Sequence, residues 1–392
     1  MRQVRPIPLI LLIALSAGPV AAADTFAVLP LFNPSNQSNL DWIGESVAET
    51  IRESLNSEGF LALSREDRVE VFRRLSIKPG AVLTTASVIK AGESLDAGEV
   101  IYGDFESKTS AAGEKTIRLT IRMINLKRFK ESGQFEQVGA VEDLSLLETK
   151  LAWQLIKQLG PKSAETEEEF LKARPPVRID AVELYIRGLL SSVTDQKQKM
   201  FTQAAALDPR YSQPAFQLGL IYWDKKDYKN AGQWLEHVTK ADSHYMESLF
   251  LHGLCKYNEG EYLEAIKDFQ TVAAEVPLNE VYNNLGAAQS RDEIYGAEIN
   301  FTKALQGDEA DPDYWFNMGY LEWKGGAFFQ AADKFRAVLD RSPEDVEAKT
   351  FLGRCLAKEG QKPGDTKTEG RERLKYLFED SAFRQLQAEM KR

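Results

Sequence analysis

At 392 residues the chain has room for two or three domains, and 43% apolar with 28% charged residues is ordinary globular composition, which excludes disorder throughout. The net charge is −10, or −12 once a leader carrying Arg2 and Arg5 is set aside. So acidic a chain repels phosphate backbones and anionic lipid heads, which argues against nucleic-acid and membrane-surface roles.

Residues 1–23 read as an export signal. Arg2 and Arg5 precede the apolar run Leu9-Ile10-Leu11-Leu12-Ile13-Ala14-Leu15, Gly18-Pro19 breaks it, and Ala21-Ala22-Ala23 offers a peptidase small residues before Asp24. The run is well short of the ~20 residues that span a bilayer, so cleavage is expected rather than anchoring. No Cys lies near the cut to carry a lipid. The mature chain is expected to be soluble in a periplasm-like space, with no transmembrane segment.

From 24 to 160 the pattern is that of an α/β domain. Phe26-Ala27-Val28-Leu29-Pro30-Leu31-Phe32 reads as a strand. A helix follows over 42–55, with Ile43, Val47, Ile51 and Leu55 at four-residue spacing. Residues 60–63 form a short strand, 65–75 a helix capped by Ser64, and 84–91 another helix. Strands are expected over 100–105, 117–124 and 133–141, the first two joined by a turn in which Gly113 takes positive φ, and a last helix over 144–159. This β-α-β-α-α-β-β-β-α order, with Trp42-Ile43-Gly44 after the first strand and Ala97-Gly98-Glu99-Val100-Ile101-Tyr102-Gly103 leading into a later one, resembles the N-terminal domain of TolB and the related CsgG and FlgO envelope proteins. That resemblance implies a mixed sheet with flanking helices that packs on partner proteins and performs no chemistry. The β-propeller of TolB and the long membrane hairpins of a secretion pore are absent. Residues 161–176, rich in Glu and Lys and ending Arg174-Pro175-Pro176, read as a linker.

A repeat then takes over. Gly188, Gly219, Gly253, Gly286, Gly319 and Gly353 recur at intervals of 31, 34, 33, 33 and 34 residues. About twelve residues after four of these glycines stand Ala231, Ala265, Ala297 and Ala331, followed by Leu235, Phe269, Phe301 and Phe335. Small residues let two helices approach closely, a bulky one fills the gap beside them, and proline near Leu207-Asp208-Pro209, Val276-Pro277 and Ser342-Pro343 ends the second helix. The pattern resembles the tetratricopeptide repeat (TPR), which implies an all-α superhelix over 177–360 of about five and a half repeats. Pro363-Gly364 interrupts the sixth unit, and 361–392 reads as a charged capping helix with Leu374, Leu377 and Phe378 on one face and Phe383 and Leu386 further along. Cys255 and Cys355 fall on equivalent positions three repeats apart, at least ~25 Å from each other by helix stacking, too far for a disulfide.

The resemblance also implies which side chains line the concave wall. They are Phe216, Leu220, Trp223 and Asp224; Phe250, Leu254, Tyr257 and Asn258; Asn283, Ala287, Ser290 and Arg291; and Phe316, Tyr320, Trp323 and Lys324. Two aromatic walls flanking a polar middle suit a peptide partner, since rings supply buried area and Asn side chains hold main-chain amides. Replacing Trp223 and Trp323 together by alanine is then expected to weaken capture without changing the fold.

Catalytic patterns are missing. The histidines are His237, His244 and His252, so the α/β domain holds none for a Ser-His-Asp or Cys-His arrangement. The three do not form a usual zinc pattern, and His252, beside Gly253, reads as a packing residue. Gly113-Glu114-Lys115-Thr116 lacks the glycines of a phosphate loop, and Glu167-Glu168-Glu169 sits in a solvated linker. The expectation is an exported scaffold without enzymatic activity, cofactor or metal, whose groove takes a protein or peptide partner in a cell-envelope complex. The alternatives are an oligomerising subunit of an outer-membrane or secretion assembly and, from another class, a cell-wall hydrolase.

Overall fold

The computed structural model describes residues 25–386 apart from 36, 79–80, 112, 132, 161–164, 363 and 380–381, so the expected export signal lies outside the described residues. Strand β1 (Thr25–Val28) alternates as a two-sided strand must, Phe26 and Val28 facing one layer and Ala27 and then Leu29 the other. Helix α1 (Asp41–Ser57) lies on the first layer through Ile43, Val47, Ile51 and Leu55. Gly44 permits this contact, because a Cβ there would sit 2.1 Å from the Leu31 carbonyl oxygen. After β2 (Leu61–Ala62), α2 (Arg65–Arg74) opens on a capping box in which Ser64 Oγ accepts from the Asp67 amide at 3.0 Å and Asp67 Oδ2 from the Ser64 amide at 3.3 Å. Then come α3 (Thr85–Ser94), the long hairpin β3 (Glu99–Thr109) and β4 (Lys115–Asn125), β5 (Lys130–Glu131), β6 (Phe135–Ala140) and α4 (Leu144–Leu159). Gly113 takes φ 86° in the hairpin turn.

The sheet order is β2-β1-β3-β4-β5, with β6 also on β4; β1 runs parallel to β2 and β3, and the β4 pairings are antiparallel. One face carries α1 and α4; the other is covered around Val88, Ala91 and Phe72 of α3 and α2. The elements follow one another in the expected order, with β5 as an added two-residue strand.

The stretch 161–176 is not a solvated linker where it is described. Glu167, Glu168 and Glu169 open a helix, α5 (Glu167–Ala173), capped by Thr166, and Phe170 on it is buried in the core of the sheet and α1. Arg174 lies 3.8 Å over the Phe170 ring and donates to Glu58 and to Ser57 Oγ at 2.6 Å. One aromatic among acids is enough to recruit the segment, since a buried ring outweighs the local composition.

Among the described residues eleven helices follow, ten of them in packed pairs: α6 (Ile179–Leu190) with α7 (Thr194–Leu207), α8 (Gln213–Asp224) with α9 (Tyr228–Leu235), α10 (Tyr245–Glu259) with α11 (Tyr262–Glu275), α12 (Asn279–Arg291) with α13 (Ala297–Gly307), α14 (Pro312–Lys324) with α15 (Phe328–Arg341), and α16 (Val346–Leu356) unpaired. At the repeating glycine the partner helix comes closest, through Leu235 at Gly219 and through a ring at Gly188, Gly253 and Gly286. A Cβ on Gly253 would lie 2.8 Å from the Phe269 ring and one on Gly286 2.8 Å from Phe301, whereas Gly353, whose unit shows no second helix among the described residues, meets nothing within 4 Å. Cys255 and Cys355 are buried and unbridged. Val182, Tyr185, Ile186, Phe201 and Leu218 of the first helices share one core with the sheet, so the two halves are fused rather than tethered.

Past α16 the structure departs from expectation. Residues 371–379 are not helical, and of the described residues only 382–386 make a short helical turn. Instead of capping the end of the stack, the segment turns back along the concave wall.

A groove filled by the C-terminal segment

The wall is built from α8, α10, α12 and α14, and its polar centre comes from two successive repeats. Asn284 and Asn317 each stand two residues before the repeat glycine, so they are equivalent positions on neighbouring helices and project to the same side. Both are fully buried. Asn317 Nδ2 donates to the Arg373 carbonyl at 2.7 Å while its Oδ1 accepts from the Arg373 amide at 2.7 Å. Asn284 repeats the pair on Lys375, donating at 2.7 Å and accepting at 2.8 Å. Asn283 adds a donor to the Arg373 carbonyl at 2.8 Å and accepts from Asn317 Nδ2 at 2.8 Å. In extended chain the amide and carbonyl of residues i and i+2 face one edge, which is why residues 373 and 375 are both gripped.

Charges fix the side chains of the same stretch. The Arg373 guanidinium lies 3.6 Å over the Phe316 ring and pairs with Asp345 at 2.7 Å, Asp313 at 3.2 Å and Glu347 at 3.3 Å. Lys375 Nζ pairs with Asp311 at 2.6 Å and Asp313 at 2.7 Å. Burial works to lower the affinity of both cations for their protons, but these carboxylates outweigh it and raise it; likewise burial pushes Asp345 up and Arg373 pulls it below its ordinary value. Glu372 is buried in the wall, its Oε1 accepting from Ser290 Oγ at 2.8 Å and from Lys324 Nζ at 3.4 Å.

Aromatic contacts hold the two ends. Tyr320 Oη donates to the Thr368 carbonyl at 2.6 Å and Trp323 Nε1 to the Glu359 carbonyl at 2.8 Å. Further on, Phe378 meets Phe250 edge-on at 5.0 Å and stacks on Phe383 at 4.4 Å, and Tyr376 stands 6.1 Å from Trp223. The segment therefore runs from the fifth repeat back toward the second.

Of the residues expected to line the groove, Asn283, Ser290, Tyr320, Trp323 and Lys324 donate hydrogen bonds to the C-terminal residues, and Phe216, Leu220, Trp223, Phe250 and Tyr257 belong to the apolar cluster that Leu374, Phe378 and Phe383 join. Phe316 lies under Arg373. Asn258 is exposed and donates back to Leu254 of its own helix, whereas Arg291 donates to Tyr262 Oη at 2.7 and 3.0 Å and packs its guanidinium against Gly370 of the segment. Phe316, Tyr320 and Trp323 are wholly buried, packed with Phe335 and Phe351. That overturns one expectation: removing Trp323 opens a core cavity and costs about 3–5 kcal/mol of stability, so it cannot serve as a silent groove variant. Asn284, Asn317 and the acids Asp311, Asp313 and Asp345 were missed. The signal for the two asparagines was their shared offset from the repeat glycine.

The other titratable clusters are structural. His252 Nδ1 lies 2.6 Å from Asp268 Oδ2, and among the described residues no cluster of three His, Cys, Asp or Glu side chains could hold a metal. At the junction of the two halves Glu148 is buried and accepts from Thr50 Oγ1 at 3.1 Å; burial pushes it up to about 7. No described helix is long and apolar enough to cross a membrane.

Tetratricopeptide repeat profiles match residues 213–245 and 316–364, so the helical half contains tetratricopeptide repeats. Solved structures similar to the chain include YrrB, described as a TPR protein with an unusual peptide-binding site, at 19% identity over 48% of this chain and 98% of that one with a TM-score of 0.40. MamA from Desulfovibrio magneticus RS-1 is 18% identical over 42% of this chain and 95% of its own, TM-score 0.38. The Pseudomonas aeruginosa pilF structure is 18% identical over 46% and 83%, TM-score 0.36. No curated protein matches the chain.

Proposed function

We propose that the protein is an exported, non-enzymatic scaffold whose repeat groove binds an extended segment of a partner polypeptide in the cell envelope, the C-terminal segment occupying that groove until a partner replaces it. The observation that carries this reading is the grip of Asn284 and Asn317 on main-chain atoms of residues 375 and 373, which any extended segment could satisfy. The peptide-binding site named for YrrB is in keeping with it. The α/β half, whose element order and Trp42-Ile43-Gly44 helix start resemble the TolB, CsgG and FlgO domains, presents the scaffold to a second envelope component. Because the halves share a core, that docking and the groove are held in fixed relation.

The test is photo-crosslinking in cells with a photoreactive phenylalanine in place of Trp223, which stands half-buried beside Tyr376. The expected product joins the chain to a second polypeptide of the envelope fraction and disappears when Asn284→Ala and Asn317→Ala are added. Crosslinks confined to the chain's own C-terminal segment, in every growth condition, would refute the scaffold.

A further inference from the structure

The groove does more than hold backbone; it reads side chains. Resting on the scaffold reading, we infer that the partner segment carries an acidic residue, then Arg, an apolar residue, Lys, an exposed ring, any residue and Phe, the pattern that Glu372, Arg373, Leu374, Lys375, Tyr376 and Phe378 display in the C-terminal segment. The segment is thus a resident copy of the ligand and competes with it.

The acid, the arginine, the lysine and the phenylalanine each have a receptor of their own, and the ring of Tyr376 stands 6.1 Å from Trp223. The acid enters a buried site where Ser290 Oγ and Lys324 Nζ converge on one carboxylate oxygen. A neutral side chain there would leave the ammonium its bond to the Ser290 carbonyl at 2.6 Å but no counter-charge in a poorly solvated place. The arginine site pairs a flat ring below the guanidinium, Phe316 at 3.6 Å, with the fork of Asp345 at 2.7 and 2.9 Å, a geometry that lysine's point charge cannot match. Two residues on, Asp311 and Asp313 converge on a single ammonium at 2.6 and 2.7 Å. The spacing is set by the two asparagines, whose bonds to alternate residues allow no slip by one. Phe378 closes the pattern against Phe250, while Leu377, between Tyr376 and Phe378, is 81% exposed and carries no information. Wall and segment are complementary in charge: four acids, Asp311, Asp313, Asp345 and Glu347, face three cations, Arg371, Arg373 and Lys375, so a segment carrying acids at positions 373 and 375 is rejected.

The experiment uses the full chain with a protease site placed in the exposed loop at Gly364, cut after folding so that every non-covalent contact of the segment remains. A fluorescent peptide copying residues 366–386 is then added. The native peptide is expected to exchange into the groove. The same peptide with Arg373→Ala and Lys375→Ala should bind roughly 30-fold more weakly or worse, whereas Leu377→Ala should change nothing. In the uncut chain, Arg373→Ala with Lys375→Ala should free the groove, so that the native peptide binds this variant and not the uncut parent. A charge-deleted peptide that binds as well as the native one overturns the pattern while leaving the scaffold reading standing. A severed segment that never exchanges overturns the claim that it is a ligand and makes it a fixed part of the fold. Light scattering of the uncut chain should give the mass of one chain; a dimer that trades segments would assign the pattern to a second copy and overturn the inference of a separate partner.

Discussion

At the scale of single residues the repeat is governed by steric clearance at one glycine per unit. Gly286→Ala would drive a methyl to 2.8 Å from the Phe301 ring and 3.2 Å from the Ala297 carbonyl, and should cost about 1–3 kcal/mol in urea unfolding. Gly353→Ala meets nothing, lies within α16, and should gain up to about 1 kcal/mol from helix propensity. Equal effects at the two sites would refute the clearance argument. Glu148 supplies a second test. Burial raises it to about 7 from an ordinary 4.5, so the native state holds the proton longer than the unfolded chain. Its contribution is complete below the unfolded value and is lost as pH rises through the folded one. Stability should therefore fall by up to a few kcal/mol between about pH 5 and about pH 8, and Glu53, also raised to about 7 chiefly by burial, acts in the same direction. Glu148→Gln should flatten much of that slope; an unchanged slope would assign it elsewhere.

Elements differ in how far local sequence determines them. Helix α4 was expected at 144–159 and occupies Leu144–Leu159, because its apolar spacing, its neighbours and its tertiary role all agree. The C-terminal segment has helical spacing too, at Leu374, Leu377 and Phe378, yet it is not helical and Leu377 points to solvent. What decides its conformation lies up to 91 residues away in the chain, in asparagines of α12 and α14 that grip alternate residues and in carboxylates at the starts of α14 and α16, and no local window contains that information. The same reason hid α5, where Phe170 is recruited by a core built mostly earlier in the chain. The groove was legible as two aromatic ends with a polar centre; its occupant was not. Phe170→Ala should destabilise the whole protein by about 3–5 kcal/mol, as a core residue does, and a near-neutral effect would restore the view of this stretch as a solvated linker.

For the whole molecule, the consequence of the shared core is cooperativity. Tyr185, Ile186, Phe201 and Leu218 of the repeats are buried with Ile51, Leu55 and the inner face of the sheet, so one apolar core spans both halves beside the further cores that each half has to itself. Thermal unfolding followed by far-ultraviolet circular dichroism and by tryptophan fluorescence should show coincident transitions, and two well-separated ones would contradict the fusion. This rigidity matters for the scaffold, because a groove fixed relative to the α/β half presents its ligand in one orientation. Most direct for the central claim is amide hydrogen exchange in the full chain at Arg373 and Lys375. Both amides should be strongly protected, and Asn317→Ala should release the first and Asn284→Ala the second. Exchange of both at the rate of an unstructured peptide in the parent protein would mean that the wall grips no chain at all.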